Sequence, residues 1–253
     1  MNGQYEKELK KIEFYKTHPE YLPFVGDKYD EFKILQVGES HYIGQNENYA
    51  PFGLEDFDKW WINRCDKVYN EPDEDPETQC WGSWYNTREV IGRFLKSNQK
   101  NYSIFMNMIR ALNEVKELPA CDDEKKKYHC FAFMNFFQMP SLYQGMSFEA
   151  SLYKAAKETD DPAAVYKRAV AKSCAALDKV IEILQPNAVV FTSKAAYKAY
   201  CNHKGNIVQD NRIIETVHPC CSWWNRKIKR FGGNTGREHV VAELKKHWLN
   251  KQR

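Results

Sequence analysis

The sequence predicts an α/β fold in three layers, αβα, in which a short, mainly parallel central sheet of about four strands lies between two layers of helices. Two observations predict this fold. Short apolar runs recur along the chain, and segments with the apolar spacing of amphipathic helices separate them. Strands that alternate with helices are typically parallel neighbours in one sheet. At 253 residues the chain fits a single domain, 1–253, because one core can grow to about that size.

The N-terminal third predicts a helix, a strand and an insertion. An amphipathic helix is expected at about residues 5–16, before "THPEY", and "FKILQV" then forms a buried strand. From about residue 43 to residue 80 the chain is polar and irregular. The acidic run within this insertion, Glu71 to Glu77, is most simply a solvated loop, because like charges repel one another.

Two predicted helices precede the second strand. Residues Asn86 to Leu95 and Ser103 to Leu112 both have the apolar spacing of a helix. The continuous apolar run "HCFAFMNFF" follows them and is expected to be a central strand that ends at Asn135.

The C-terminal half continues the alternation. Asp161 is an N-cap followed by a first-turn proline, and it begins a helix that runs to Leu184. The third strand is "AVVF", after which Thr192 or Ser193 can cap the next helix. The fourth strand is "IIETV", and a closing helix is expected at about Arg237 to Leu249.

Composition limits the classes of function. No window approaches the ~20 apolar residues of a membrane span, and the N-terminus lacks an apolar signal core, so we expect a cytoplasmic protein with no membrane partner. The eight cysteines are expected to be reduced, and since none stands in a Cys-x-x-Cys pair, neither a metal nor another cofactor is predicted. The 14% aromatic content suits either a large core or a surface that stacks on flat ligands, and the net charge of +3 only weakly favours an anionic partner.

Polar side chains follow each predicted strand. In open α/β sheets ligands bind beyond the carboxyl ends of the strands. Glu39 follows the first strand, Asn135 ends the second, Ser193 follows the third and His218 follows the fourth. Taken singly, the glutamate could be a cap, the asparagine a turn residue and the histidine a structural residue. Together they bring a carboxylate, an amide and an imidazole to one edge of the sheet.

Two segments, "VGESHY" and "VHPCCSWWNR", resemble the first and last motifs of the uracil-DNA glycosylase superfamily. The resemblance implies a uracil-DNA glycosylase-like fold and a set of functional residues. In the Gly-Glu branch of that family, Glu39 would hold the place of the catalytic carboxylate, and Phe52 in "APFG" the place of the ring that stacks on the flipped base. Asn135 matches the asparagine that binds the edge of uracil, and His218 matches the histidine of the His-Pro motif.

The same resemblance assigns the residues after Glu39 to the base pocket, and it also shows departures. Ser40 stands where another branch has a catalytic aspartate, and Tyr42 where that branch has the tyrosine that narrows the pocket. His41 replaces the usual proline. No cysteine occurs from Met1 to Val37, where iron-sulfur members have their first ligands, so no cluster is expected.

The residues suit the chemistry that the resemblance implies, which is base excision in DNA repair: hydrolysis of the N-glycosidic bond of uracil or a related deaminated base. Cleavage builds positive charge on the sugar and negative charge on the base, so a carboxylate and a hydrogen-bond donor both stabilise the transition state. Glu39 would supply the first and His218 the second. Asn135 can donate and accept at once, as the edge of an amide-like base requires.

The segment after His218 is predicted to bind DNA, because a base must leave its stack before it can react. Aromatic rings can stack on bases, and basic side chains can bind phosphates without selecting sequence. The segment supplies both kinds: Trp223, Trp224, Arg226, Lys227, Lys229 and Arg230. The tryptophans could alternatively belong to the core. The partner is therefore expected to be single- or double-stranded DNA, bound by a monomer.

Two other functions are compatible with the sequence. A non-catalytic nucleic-acid-binding or nucleotide-binding protein of the same fold would keep the basic segment but would not depend on Glu39. A thiol nucleophile, Cys220 or Cys221 with His218 as its base, is the other alternative, although neighbours in sequence are seldom catalytic partners.

Overall fold

The sheet and its helices are seen in a computed structural model, which describes residues 3–42, 54, 56–61, 86–97, 102–143, 145–205 and 210–249. These residues form a mixed α/β structure with a five-stranded, mostly parallel sheet, which confirms the predicted α/β class. Within the described ranges no helix is long and apolar enough to cross a membrane.

The sheet contains the four predicted strands and one more. Its strands are β1 (Phe24–Val25), β2 (Ile34–Gly38), β3 (Phe131–Asn135), β4 (Ala188–Phe191) and β5 (Ile213–Glu215). The spatial order is β1-β3-β2-β4-β5, with β1 antiparallel to β3 and the other neighbours parallel. The additional strand, β1, has two residues, too few to show a period in the sequence.

The helices are numbered in chain order. They are α1 (Gly3–Leu9), α2 (Glu13–Thr17), α3 (Tyr29–Phe32), α4 (Asp56–Trp60), α5 (Thr87–Lys96), α6 (Ser103–Val115), α7 (Phe148–Ala155), α8 (Pro162–Leu184), α9 (Lys194–His203) and α10 (Gly236–Leu249). The predicted helices at α5, α6, α8, α9 and α10 are present. Helices α3 and α7 were not predicted, because each is short.

The observed caps explain where two of the predicted helices begin. The Asp161 carboxylate accepts a hydrogen bond from the Ala164 backbone N–H at 2.9 Å, and Pro162 begins α8 as expected. Of the two candidate caps for α9, Ser193 is the cap: its hydroxyl oxygen accepts from the Ala196 N–H at 3.2 Å.

The N-terminal helix and the insertion differ from the sequence prediction. The single helix expected at about 5–16 is broken into α1 and α2, because Ile12 takes an extended conformation and packs against the core. Part of the insertion is a helix rather than irregular, since Trp60 of α4 is buried and its indole N–H donates to the Gln138 carbonyl at 2.9 Å. The acidic run Glu71 to Glu77 lies outside the described residues.

Helices cover both faces of the sheet. Alternate residues of β2 enter different apolar clusters, with Leu35 and Val37 in one and Ile34 in the other. The first cluster includes residues of α1, α2, α7, α8 and α9. The second includes residues of α5, α6 and α10. Strands β2, β3 and β4 are therefore buried on both faces. Gln36, in the middle of β2, is a buried polar side chain whose carbonyl oxygen accepts from the Tyr128 hydroxyl at 2.8 Å.

Candidate functional site at the carboxyl edge of the sheet

The first and second predicted motifs meet at the carboxyl ends of β2 and β3. Gly38 and Asn135 are partners in the parallel register, and the backbone pairing continues beyond them, with the Phe137 N–H donating to the Glu39 carbonyl at 2.8 Å. A side chain on Gly38 would place its Cβ 2.2 Å from Asn135 Oδ1. Glycine is required here because the asparagine side chain lies directly on its backbone.

Asn135 is nearly buried, and its side chain is available to a ligand. The residue is 7% exposed, and its carboxamide makes no hydrogen bond with any residue that the structure describes. A ligand that offers a donor and an acceptor can bind both polar atoms of this carboxamide.

Glu39 is held by the N-termini of two helices. Its Oε1 accepts from the backbone N–H of Phe148, the first residue of α7, at 2.8 Å. Its Oε2 accepts from the Ser193 hydroxyl, the N-cap of α9, at 2.7 Å. Both donors therefore lie at helix N-termini, which carry partial positive charge. A carboxylate has about four acceptor positions, and those not used here can bind water or a ligand.

Two tyrosines lie near Glu39. Burial, and then the charge of Glu39, raise the pKa of Tyr42, whose side chain is partly exposed. Burial, followed by the charges of Glu149 and Glu39, raises the pKa of Tyr166 to about 12. The Tyr166 ring lies 6.5 Å from that of Phe148, which binds Glu39. Tyr166 was not predicted as a site residue, because nothing in the sequence links the first turns of α8 to the end of β2.

His41, predicted to bind the base, already has partners within the protein. It is buried, its Nε2 lies 3.0 Å from the Thr87 hydroxyl of α5, and its ring packs edge-on against Tyr21 at 5.3 Å. The side chain thus joins the end of β2 to the protein interior. Phe52, the predicted stacking residue, lies outside the described residues.

His218 presents one ring nitrogen outward. Its Nδ1 accepts from the Cys220 backbone N–H at 3.2 Å, so the neutral ring carries its proton on Nε2. Partial burial lowers the pKa of His218 below its usual value, which favours that neutral form. The following Pro219 carbonyl accepts from the Asn107 side chain of α6 at 2.7 Å. His218 is therefore placed as a hydrogen-bond donor in a loop that rests on α6.

Asn135 and the loop of His218 lie on the side of the sheet edge that α6 covers. The Glu39 carboxylate is bound on the other side. Phe105 of α6 packs on Phe133 of β3 at 5.3 Å, on the same face as Asn135. The loop of His218 contacts this same helix. The donors to Glu39 come instead from α7 and α9, which cover the opposite face. That these residues and Phe52 enclose one ligand stays a prediction.

The predicted DNA-binding segment divides into exposed and occupied side chains. Trp223 is 53% exposed, whereas Trp224 is 1% exposed and lies in the second apolar cluster. The guanidinium of Arg230 forms an ion pair with Glu215 at 2.7 Å. Trp224 is thus wrong as a base-stacking residue, and Arg230 is already paired. The other basic side chains are exposed and form no ion pair within the described ranges: Arg226, Lys227 and Lys229.

The thiol alternative gains no support from the geometry. Burial raises the pKa of the Cys220 thiol, which disfavours the reactive thiolate. His218 Nδ1 is occupied by a backbone N–H and is not free to deprotonate a thiol. In the part of the chain that the structure describes, no group of three or more histidine, cysteine or acidic side chains could hold a metal ion.

No family model, no curated protein and no solved structure matches this chain. The likeness to the glycosylases therefore rests on short motifs. A shared fold does not by itself imply a shared function, which depends on the residues at the carboxyl edge of the sheet.

Proposed function

We propose that the protein is a DNA glycosylase that hydrolyses the N-glycosidic bond of uracil or a related deaminated base after the base has been flipped from its stack. The observation that carries the proposal is the carboxamide of Asn135, nearly buried at the carboxyl edge of a parallel sheet and without a partner among the described residues. Such edges are where α/β proteins bind ligands. An amide is suited to a base edge that carries both a carbonyl and a ring N–H.

The other polar groups supply the two charges that the reaction needs to stabilise. The Nε2–H of His218 can donate to the base oxygen that becomes negative as the bond breaks. The Glu39 carboxylate, held by donors from α7 and α9, can stabilise the positive sugar or orient the attacking water. Two fixed donors restrict the orientation of the carboxylate before substrate binds, which lowers the entropy cost of catalysis.

The proposal includes a uracil-DNA glycosylase-like arrangement of the sheet. It is supported by the position of "VGESHY" at the end of the central strand β2 and of His218 after the edge strand β5. Trp223 and its basic neighbours Arg226, Lys227 and Lys229 are exposed beside His218 and suit a nucleic-acid partner. The cytoplasmic location and the monomeric state stay predictions.

A second candidate is a nucleic-acid-binding or nucleotide-binding protein of this fold without catalysis. One observation favours it: both carboxylate oxygens of Glu39 already accept hydrogen bonds from the protein, as they would in a purely structural role. This candidate keeps Asn135 and the basic segment but assigns no chemistry to Glu39.

A base-release assay separates the two candidates. The substrates are oligonucleotides that contain uracil, hypoxanthine or a mismatch, each single- and double-stranded. The variants are Glu39→Gln and, as a control, Glu182→Gln, an exposed carboxylate on α8 that pairs with its neighbour Lys179. We expect release by the native chain and by the control, with a loss of about 10²-fold or more in Glu39→Gln. Binding without release by any chain favours the second candidate, and the absence of both contradicts the proposal.

A further inference from the structure

One peptide group in the loop after β5 is hydrogen-bonded at both of its edges. The Pro219 carbonyl accepts from the Asn107 side chain at 2.7 Å, and the Cys220 N–H donates to His218 Nδ1 at 3.2 Å. This carbonyl and this N–H belong to the same peptide plane, and in a trans peptide they point in opposite directions. Asn107 and the His218 ring therefore hold opposite edges of one rigid group.

The orientation of the Asn107 carboxamide follows from its two partners. A carbonyl oxygen only accepts, so the atom that faces Pro219 is the amide nitrogen. On the other side, Asn107 Oδ1 accepts from the Arg110 guanidinium at 3.4 Å, and a guanidinium only donates. Asn107 is thus a donor to the loop, a role that a side chain of the same size without an N–H cannot fill.

Helix α6, which carries Asn107, is attached to the core of the protein. Met108 is buried in the second apolar cluster, and Phe105 packs on Phe133 of β3 at 5.3 Å. The loop has another attachment to this helix, a hydrogen bond between the Cys220 thiol and the backbone of Ile104 in the first turn of α6. The position of the loop is therefore set by α6 as well as by β5.

We propose that Asn107 is a positioning residue for the glycosylase reaction, and that it acts through the Pro219–Cys220 peptide to keep the proton of His218 on Nε2. Its hydrogen bond to the carbonyl opposes rotation of the peptide, so the Cys220 N–H stays directed at Nδ1. A donor at the carbonyl oxygen also polarises the peptide and strengthens its N–H as a donor. This inference rests on the proposed function.

The loss of Asn107 would change what His218 can offer to a base. Once the peptide is free to turn, Nδ1 loses the donor that keeps it unprotonated. The neutral ring can then carry its proton on Nδ1, and in that tautomer Nε2 is an acceptor. An acceptor at Nε2 repels the base oxygen that becomes negative as the glycosidic bond breaks.

The first measurement is the tautomer of His218 in the ligand-free protein. The variants are Asn107→Ala and a matched control, Asn113→Ala, which makes the same replacement on α6 but removes an acceptor of the Leu118 N–H. Both replacements change helix propensity in the same direction. The ring nitrogens are observed by NMR at about pH 8, where the ring is neutral. We expect a proton on Nε2 alone in the native chain and the control, and both neutral tautomers in Asn107→Ala.

A further variant guards against a change in folding. Asn107→Asp keeps the size of the side chain and its contact with Arg110, but an ionised carboxylate cannot donate to the Pro219 carbonyl. It should therefore shift the tautomer in the same direction as Asn107→Ala. A proton that stays on Nε2 of His218 in both variants would overturn the inference.

The second measurement is single-turnover release of uracil and hypoxanthine from oligonucleotides. We expect release to be about 10²-fold slower in Asn107→Ala than in the native chain or in Asn113→Ala. DNA affinity should change little, because the Nε2–H acts in the transition state. A changed tautomer with release as fast as in the control would overturn the inference and leave the proposed function intact. If the native chain released no base, the proposed function would fail, and the catalytic role of Asn107 with it, whatever the tautomer of His218.

Discussion

At the residue scale, Glu39 joins two helices that are far apart in the sequence. Replacing it with Ala leaves the Phe148 N–H and the Ser193 hydroxyl without their acceptor, and we expect the free energy of unfolding to fall by about 2 kcal/mol. In Glu39→Gln, the amide can accept from Phe148 and donate to the Ser193 oxygen, so stability should change much less. Urea unfolding of both variants measures this difference. Equal stability of the native chain and Glu39→Ala would show that the hydrogen bonds from Phe148 and Ser193 to Glu39 do not stabilise the fold.

The lowered pKa of His218 predicts how the stability of the fold depends on pH. Its folded pKa is lowered from 6.5 by burial, so the unfolded chain binds a proton more readily than the folded one. The stability contributed by the neutral ring is therefore fully present above pH 6.5 and is lost as the pH falls through the lowered value. His218→Asn keeps an acceptor for the Cys220 N–H but does not titrate.

Urea unfolding between about pH 5 and pH 8 tests this difference. Stability of the native chain should decrease more steeply below pH 6.5 than that of His218→Asn. The other histidines are present in both proteins and serve as the internal control. Parallel stability curves would show that the His218 ring titrates alike in the folded and unfolded chains.

At the element scale, the short 3-10 turn Ser222–Trp224 orients neighbouring tryptophans in opposite directions. Trp224→Ala should lower the free energy of unfolding by about 3–5 kcal/mol, because it leaves a cavity in the cluster shared with α10. Trp223→Ala should leave stability nearly unchanged and weaken binding of single-stranded DNA by about 1–3 kcal/mol if a base stacks on it. Thermal unfolding and fluorescence anisotropy measure the two effects. Unchanged DNA affinity in Trp223→Ala would remove this ring from the proposed interface.

At the scale of the whole molecule, the net charge of +3 is a weaker indication of nucleic-acid binding than the position of the basic side chains. Arg226, Lys227 and Lys229 lie close together in the sequence and form no ion pair with a described residue. The triple variant Arg226→Ala, Lys227→Ala, Lys229→Ala should flatten the dependence of log affinity on log salt by about 0.7–0.9 for each phosphate that the protein no longer binds. Arg230→Ala should leave this slope unchanged, because its guanidinium already pairs with Glu215. Affinities measured across a salt series give both slopes. An unaltered slope in the triple variant would mean that DNA, if bound, contacts another surface.

Local sequence by itself determined the α/β class, the strands β2 to β5 and the helices α5, α6 and α8 to α10. Each of these elements carries its own signal: an apolar run, a helical period, or a cap such as Asp161 or Ser193. These signals act within a few residues, so they can be recognised without knowledge of tertiary contacts. The placement of Glu39, Asn135 and His218 after strand ends followed from the same local patterns.

Only the tertiary structure decided which partners those side chains meet. The donors to Glu39 come from 109 and 154 residues away along the chain, and the close contact of Asn135 with Gly38 depends on the register between β2 and β3. Burial likewise separated Trp223 from Trp224, which are equivalent by residue type. The physical reason is that burial and long-range hydrogen bonds depend on how the elements pack, whereas local patterns specify only which elements form.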